Sequence, residues 1–324
     1  MRSRVGALRA ALGACLSLAF ASGCSLSPGA GPALPAADRS DDSRIASPAD
    51  SENLLYIADR VTHTVYVRAL PKGNQIGTIS GLLEPEGECS DAKGNVFVTD
   101  EQMGIISEYA HGGTNPIAYL IDKYRPVACS LDPTTGDLAV ANLTSGGLKA
   151  RGILTVYPNA RGRPNYLFRK GMSFNYCGYD RYGNLYIDGY DTGNAFGFLE
   201  LRKGTRTFTP VSLDTKIAAP GGVQWDGAHV AVGDGAGHAI YRFKIDGYHG
   251  TQVGATLLAQ TKTVGTLWIQ GNTAFVGEVV KSYEGEVNFY RYPAGGKPYV
   301  MLVGFAYPSG ITVSRSGQSS ATAP

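Results

Sequence analysis

Oxygen-bearing side chains recur at fixed places in this chain. Asp59, Asp100, Asn142, Asp234 and Glu278 each end a short apolar run, and Asp188 sits one residue ahead of the same place in a sixth run. Such a ring could hold a hard cation, accept hydrogen bonds from a polar ligand, or cap the turn after each run. The capping role is favoured, because short acids and amides at strand ends bond to nearby backbone amides. A second set opens the small-residue segments: Glu86, Arg125, Asn175, Gly221, Gly265 and Ser309. Only Glu86 and Asn175 could serve as oxygen ligands there. Two oxygens make no cage for Ca²⁺, which takes about six to eight.

Other chemistry is thinly represented. His63, His111, His229, His238 and His249 fall outside the small-residue segments and lack the i, i+4 spacing of a helical metal pair. All five are expected in surface turns. No Gly-x-Ser-x-Gly motif is present. Cys89, Cys129 and Cys177 occupy similar positions in three consecutive segments. Zinc lacks a histidine in register. A disulfide needs Cα atoms within roughly 7 Å and leaves one cysteine over. The favoured expectation is small buried thiols packed between elements.

The elements that must position these residues follow from a repeat. The apolar runs end at 59, 100, 142, 189, 234 and 278, at intervals of 41, 42, 47, 45 and 44 residues. A period of this length with four short strands is that of a propeller blade. Each unit reads as strand a (small residues, nearest the axis), strand b (the apolar run), then strands c and d. Gly is 43 of 324 residues, which suits many tight turns. The chain enters the repeat at a strand b and leaves it on a strand a over 310–315. The last strand is therefore expected to complete the first blade. The fold class is all-β: a six-bladed β-propeller closed by pairing of the C-terminal strand with the first blade, with six strands of each kind and none left over.

The stretch from Pro85 to Asp100, PEGECSDAKGNVFVTD, has the form P-x-G-x-x-x-D-x-x-G-N-V-F-V-x-D. It resembles NHL repeats and the related six-bladed group that includes gluconolactonase and SMP-30-like proteins. The resemblance covers 53–317 and implies architecture first. For the enzymes of that group it also implies metal ligands at the channel mouth. Here it would use Glu86 and Asn175 and leave the rest of a ligand set unfilled. The reading is a non-enzymatic binding scaffold with no cofactor. The alternative is a metal-dependent hydrolase (lactonase-like) or lyase at the central channel, with Ca²⁺ possible.

The N-terminus carries Arg2, Arg4 and Arg9, then an uncharged apolar run over 10–20, then Ala21-Ser22-Gly23-Cys24. The run is too short to span a membrane, which takes about 20 residues. Residues 1–23 read as a signal peptide and Cys24 as a lipidated cysteine of bacterial type. Residues 24–50 read as a flexible tether, 51–317 as the propeller and 318–324 as a disordered tail. The expected location is the bacterial cell envelope, with membrane contact through the lipid anchor only and a monomeric state. A net charge of +2 without a basic cluster gives no case for nucleic acid. The expected partner is a protein, peptide or glycan.

The b–c and d–a connections share one face. That face is expected to gather Asp59, His63, Glu86, Asp100, Tyr124, Arg125, Asn175, Tyr176, Asp188, His238 and Glu278. Loops on a rigid scaffold are where binding concentrates. The ligand-binding candidates are Glu86, Asp100, Tyr124, Arg125, Asn175, Tyr176, Asp188, His238 and Glu278, for a polar or sugar-like ligand. His111, His229 and His249 are expected on the opposite face.

Overall fold

The structure is a computed structural model that describes residues 52–144 and 151–316. The expected signal peptide, Cys24, the tether and the tail lie outside the described residues. Six sheets, antiparallel but for one short edge strand, account for the strands of the described chain. Blade 1 comprises Leu54–Asp59, Thr64–Ala69 and Asn74–Ile79, with Pro308–Ser314 as its strand a. Blade 2 runs from Pro85–Ser90 and Val96–Asp100 to Pro116–Ile121, and blade 3 from Arg125–Leu131 and Leu138–Leu143 to Asn165–Lys170. Blade 4 opens on Cys177–Tyr179 and Leu185–Tyr190, blade 5 on Val223–Trp225 and Val230–Gly233, and blade 6 on Thr266–Gln270 and Thr273–Lys281.

The closure follows the expected pairing. Leu54 lies opposite Ser314 and Asp59 opposite Pro308, so first and last blades share a sheet and neither inner edge is open. One strand departs from the expected count. Ser212–Leu213 runs parallel to the outer strand His249–Leu257 of blade 5 and makes that sheet five-stranded. It covers an edge that would otherwise present unpaired backbone groups.

Strand b is apolar on both faces because a neighbouring blade covers each of them. Every residue of Leu54–Asp59 is buried. Tyr56, Ala58, Val65 and Val67 of blade 1 pack against Val96, Val98 and Tyr109 of blade 2. Burial of each large side chain contributes about 2 kcal/mol. Strand a is small for a different reason. A Cβ on Gly178 would stand 2.3 Å from the Val223 carbonyl oxygen, and one on Gly310 would stand 2.0 Å from that of Glu86. Neighbouring inner strands approach too closely there for any side chain.

The polar residues that end strand b are latches. Asp59 accepts from the amides of Val61 and Thr62 in its own turn and from Ala306 and Tyr307 in the incoming loop. Asp100 accepts from Leu83, Glu84 and Met103, Asp234 from Ala218 and Ala219, and Glu278 from Lys262. In blade 3 the amide of Asn142 donates to Asp122, which accepts from Tyr124. Each latch ties the loop entering strand a to its own blade, so loop amides buried near the axis are not left without partners.

The inner strands are also stitched to one another. Ser90 donates to the Val313 carbonyl, Tyr179 N–H donates to Ser130, and Gln224 exchanges two bonds with the Ile269 backbone. Between blades 2 and 3 the link is covalent: Cys89 and Cys129 form a disulfide with Cα atoms 5.7 Å apart. This corrects the expectation of three packed thiols. Only Cys177 remains free among the described cysteines, buried and with its thiol pushed up to about 12 by burial.

Candidate functional site: the charged mouth of the channel

Successive strand residues point to opposite faces. Where the last polar residue of strand b turns toward the incoming loop, the next residue faces the channel. Arg60 follows Asp59, Glu101 follows Asp100, Leu143 follows Asn142, Gly235 follows Asp234 and Val279 follows Glu278. All five line a cavity of about 360 Å³ on the b–c/d–a face, together with Glu86, Asn175, Tyr176, Glu278 and Tyr307.

The cavity wall carries a dense charge network. The Arg60 guanidinium pairs with Glu84, lies 2.7 Å from Glu86 Oε1 and 3.8 Å from Glu101 Oε2. Glu101 also pairs with Arg125, whose side chain is 59% exposed. Arg60 lies 5.5 Å from the centre of the Tyr307 ring. Burial pushes the Glu86 carboxyl up to about 8, against the opposing pull of Arg60. The Glu86 carboxyl therefore keeps its proton close to neutrality. Asn175 Oδ1 is buried without a hydrogen-bond partner. The Tyr176 hydroxyl reaches across the channel: a Cβ on Gly265 would stand 3.6 Å from it. Burial, with Asp188 and Glu86 nearby, raises that phenol well above its ordinary value.

The expected site residues divide into four groups. Glu86, Asn175, Tyr176 and Glu278 line the cavity. Arg125 and Tyr124 line an adjoining recess with Glu101 and Lys123, where Tyr124 packs edge-on against Tyr166. A bulge between Pro126 and Ala128 shifts the register, so Val127 faces the main cavity in place of Arg125. Asp100 and Asp188 are fully buried, and their oxygens accept from backbone amides, those of Tyr176 and Gly221 in the case of Asp188. Their work here is to hold the mouth in shape. His238 lies in the b–c turn of blade 5, exposed and outside the cavity lining.

The remaining histidines keep to the loop ends with two adjustments. His111 bonds Ser314 at 2.6 Å, and His229 is half-buried with Nδ1 shut from solvent, so neither is a free surface side chain. His249 is exposed and opens the outer strand of blade 5.

Arg60, Glu84 and Glu101 were not among the expected site residues. The alternation beside each latch was the available signal for Arg60 and Glu101. Nothing local marked Glu84, which reaches the network only because Asp100 holds its backbone.

The oxygens of Glu84, Glu86 and Glu101 lie within 4.8 Å of one another. The set does not fit Ca²⁺ as it stands. Arg60 already pairs with all three carboxylates, so a cation would have to displace its guanidinium before it could use their oxygens.

No family model matches the chain, and no curated protein matches it. Solved structures do resemble it. A chain in the crystal structure of a nidogen–laminin complex superimposes with a TM-score of 0.65 at 14% identity, covering 82% of this chain and 99% of that one. A Bacteroides caccae protein of unknown function gives 0.62 at 12% identity, over 82% and 100% of the two chains. A functionally unknown protein from Desulfotomaculum acetoxidans gives 0.52 at 12% identity, over 81% and 99%. At these identities the likeness is one of fold, and the chain is a six-bladed β-propeller.

Proposed function

We propose that this propeller is a non-enzymatic binding scaffold held at the bacterial cell envelope through lipidated Cys24. It takes a polar partner, a protein, peptide or glycan segment, at the b–c/d–a mouth. One observation carries the reading: Arg60 and Arg125 bridge Glu84, Glu86 and Glu101 at the rim of an open cavity. A paired network of this kind offers donors and acceptors of both signs, and exchanging internal pairs for pairs to a ligand costs little where one partner is exposed. Arg125 is the exposed member. A fold of the same kind occurs in the nidogen–laminin complex, which is consistent with protein recognition by a propeller.

Screening the purified protein against peptide and glycan arrays, then measuring hits by calorimetry, tests this. Arg125→Ala is expected to weaken a hit at least tenfold without lowering the thermal midpoint, and His249→Ala to leave it unchanged. Loss of binding only in His249→Ala would place the partner on the opposite face. The metal-dependent alternative requires Arg60 to leave its carboxylates. Stoichiometric Ca²⁺ binding by calorimetry, abolished by Glu86→Gln, would favour it. For the anchor, Cys24→Ala is expected to abolish lipid labelling and release the protein to the soluble fraction; a wild type without label removes that part of the proposal.

A further inference from the structure

The channel has a second chamber. Below Tyr176, Thr266 and Ser309, which border both spaces, a cavity of about 300 Å³ opens toward the a–b face. Its walls come from the middles and ends of the inner strands and are mostly small or apolar, among them Ala128, Val223, Leu267 and Ile311. Ser90, Ser130 and Gln224 also reach it, but their side chains are spent on the inter-blade bonds described above. A ligand rich in hydroxyls would find few partners here.

Two groups remain unsatisfied. Glu88 is 6% exposed and, beyond a loose contact with the Ala58 backbone, neither of its oxygens has a hydrogen-bond partner. Trp268 Nε1 is likewise buried without one.

The rim supplies the rest. Arg181 stands 4.7 Å from the Tyr182 ring centre and 6.0 Å from that of Trp225, with its guanidinium bonded to the Tyr182 hydroxyl. No carboxylate pairs with Arg181 among the described residues. Its neighbour Asp180 is engaged by the amides of Tyr182 and Asn184 and the Asn184 side chain. An unneutralised cation flanked by two aromatic rings, over a narrow apolar chamber, suits a flat apolar body that carries a negative charge at one end.

We infer that the a–b end of the channel is a second binding site, for a small planar aromatic carboxylate whose ring enters the chamber beside Trp225 and whose carboxylate meets Arg181. The site opens at the other end of the channel, and the inference does not rest on the function proposed for the charged mouth.

The chain has two tryptophans, Trp225 and Trp268, and both line this chamber. Tryptophan emission therefore reports on this chamber. Titration of the purified protein with 4-nitrobenzoate is expected to quench it saturably with one-to-one stoichiometry, confirmed by calorimetry. The neutral 4-nitrobenzamide is expected to bind at least tenfold more weakly. Arg181→Gln is expected to cost the acid tenfold or more and leave the amide unchanged, while Arg125→Ala at the other mouth changes neither. Linear, unsaturable quenching would overturn the proposal, as would equal affinity for acid and amide. Retention of binding in Arg181→Gln, or its loss in Arg125→Ala, would do the same.

Discussion

The two ends of the channel are made from the same six inner strands and share Tyr176, Thr266 and Ser309, yet they differ in character. The b–c/d–a mouth holds three glutamates and two arginines in one network. The a–b chamber is walled by small and apolar side chains, with one arginine at its rim. The difference follows from the backbone. Where loops enter strand a, their amides lie outside the ladder and need acceptors, which the acids ending strand b supply. Acidic residues are thus drawn to that end, and the residue after each latch is turned into the opening. Farther down, the ladders satisfy the backbone, and at Gly178 the inner strand comes too close to Val223 to admit a side chain. Polarity is therefore set by how much backbone remains unpaired at each level.

Removing both ends together is the most damaging test. Strand Pro308–Ser314 lends Pro308 and Ser309 to the mouth and Ile311 to the chamber, and it closes the ring. Deletion of 309–324 is expected to give aggregated protein by size-exclusion chromatography. Deletion of 25–50, which the sequence reads as a tether, is expected to leave the thermal midpoint within about 2 °C of the wild type. Equal, monomeric behaviour of the two truncations would contradict the closure.

The chamber side is stiffened by the disulfide, which closes a loop with a sequence separation of 40 residues. Chain entropy for such a loop is worth about 4 kcal/mol. The double variant Cys89→Ala, Cys129→Ala is expected to lose most of that in denaturant unfolding. Reductant is expected to destabilise the wild type and leave the double variant unaffected.

The mouth can also be followed by titration of Glu86. Burial raises Glu86 from 4.5 to about 8 in the folded protein. Below the lower value both states are protonated. Between the two, the unfolded chain releases its proton while the folded one keeps it, so stability falls as pH rises, and above the upper value the contribution is constant. Glu86→Gln is expected to remove about 4 kcal/mol of the stability lost between pH 5 and pH 8.5, read from denaturant midpoints at both values. Glu88 and Asp188, raised by the same cause, leave a residual slope in the variant. An unchanged slope would mean that Glu86 is ionised in the fold.

The smallest effect separates the rim from the wall. His249→Ala, exposed and far from both cavities, is expected to change stability by less than about 0.5 kcal/mol, as is Arg125→Ala, which alters binding at the mouth. A larger loss in Arg125→Ala would make its pair with Glu101 a structural tie in place of a binding group.

The sequence by itself determined the blade count, the order of strands and the closing strand, because each rests on local signals: apolar runs of strand length, turn residues at their ends and a period near 44. It also marked Glu86, Asn175, Tyr176 and Glu278, since their places in the repeat translate directly into places around the axis. Only the tertiary structure decided which of these residues share a cavity. Asp100 and Asp188 carry the same sequence signal as a ligand-facing acid, but nearby amides claim their oxygens. Arg125 is displaced by a bulge one turn of the pleat from where the repeat would put it. Arg60, Glu84 and Glu101 come from two different blades and meet through the latches. Cys89 bonds Cys129 and leaves Cys177 free, a choice among three similar positions that depends on how far apart adjacent inner strands lie. Distances across a blade boundary are set by side-chain packing between sheets, and no spacing along the chain encodes them.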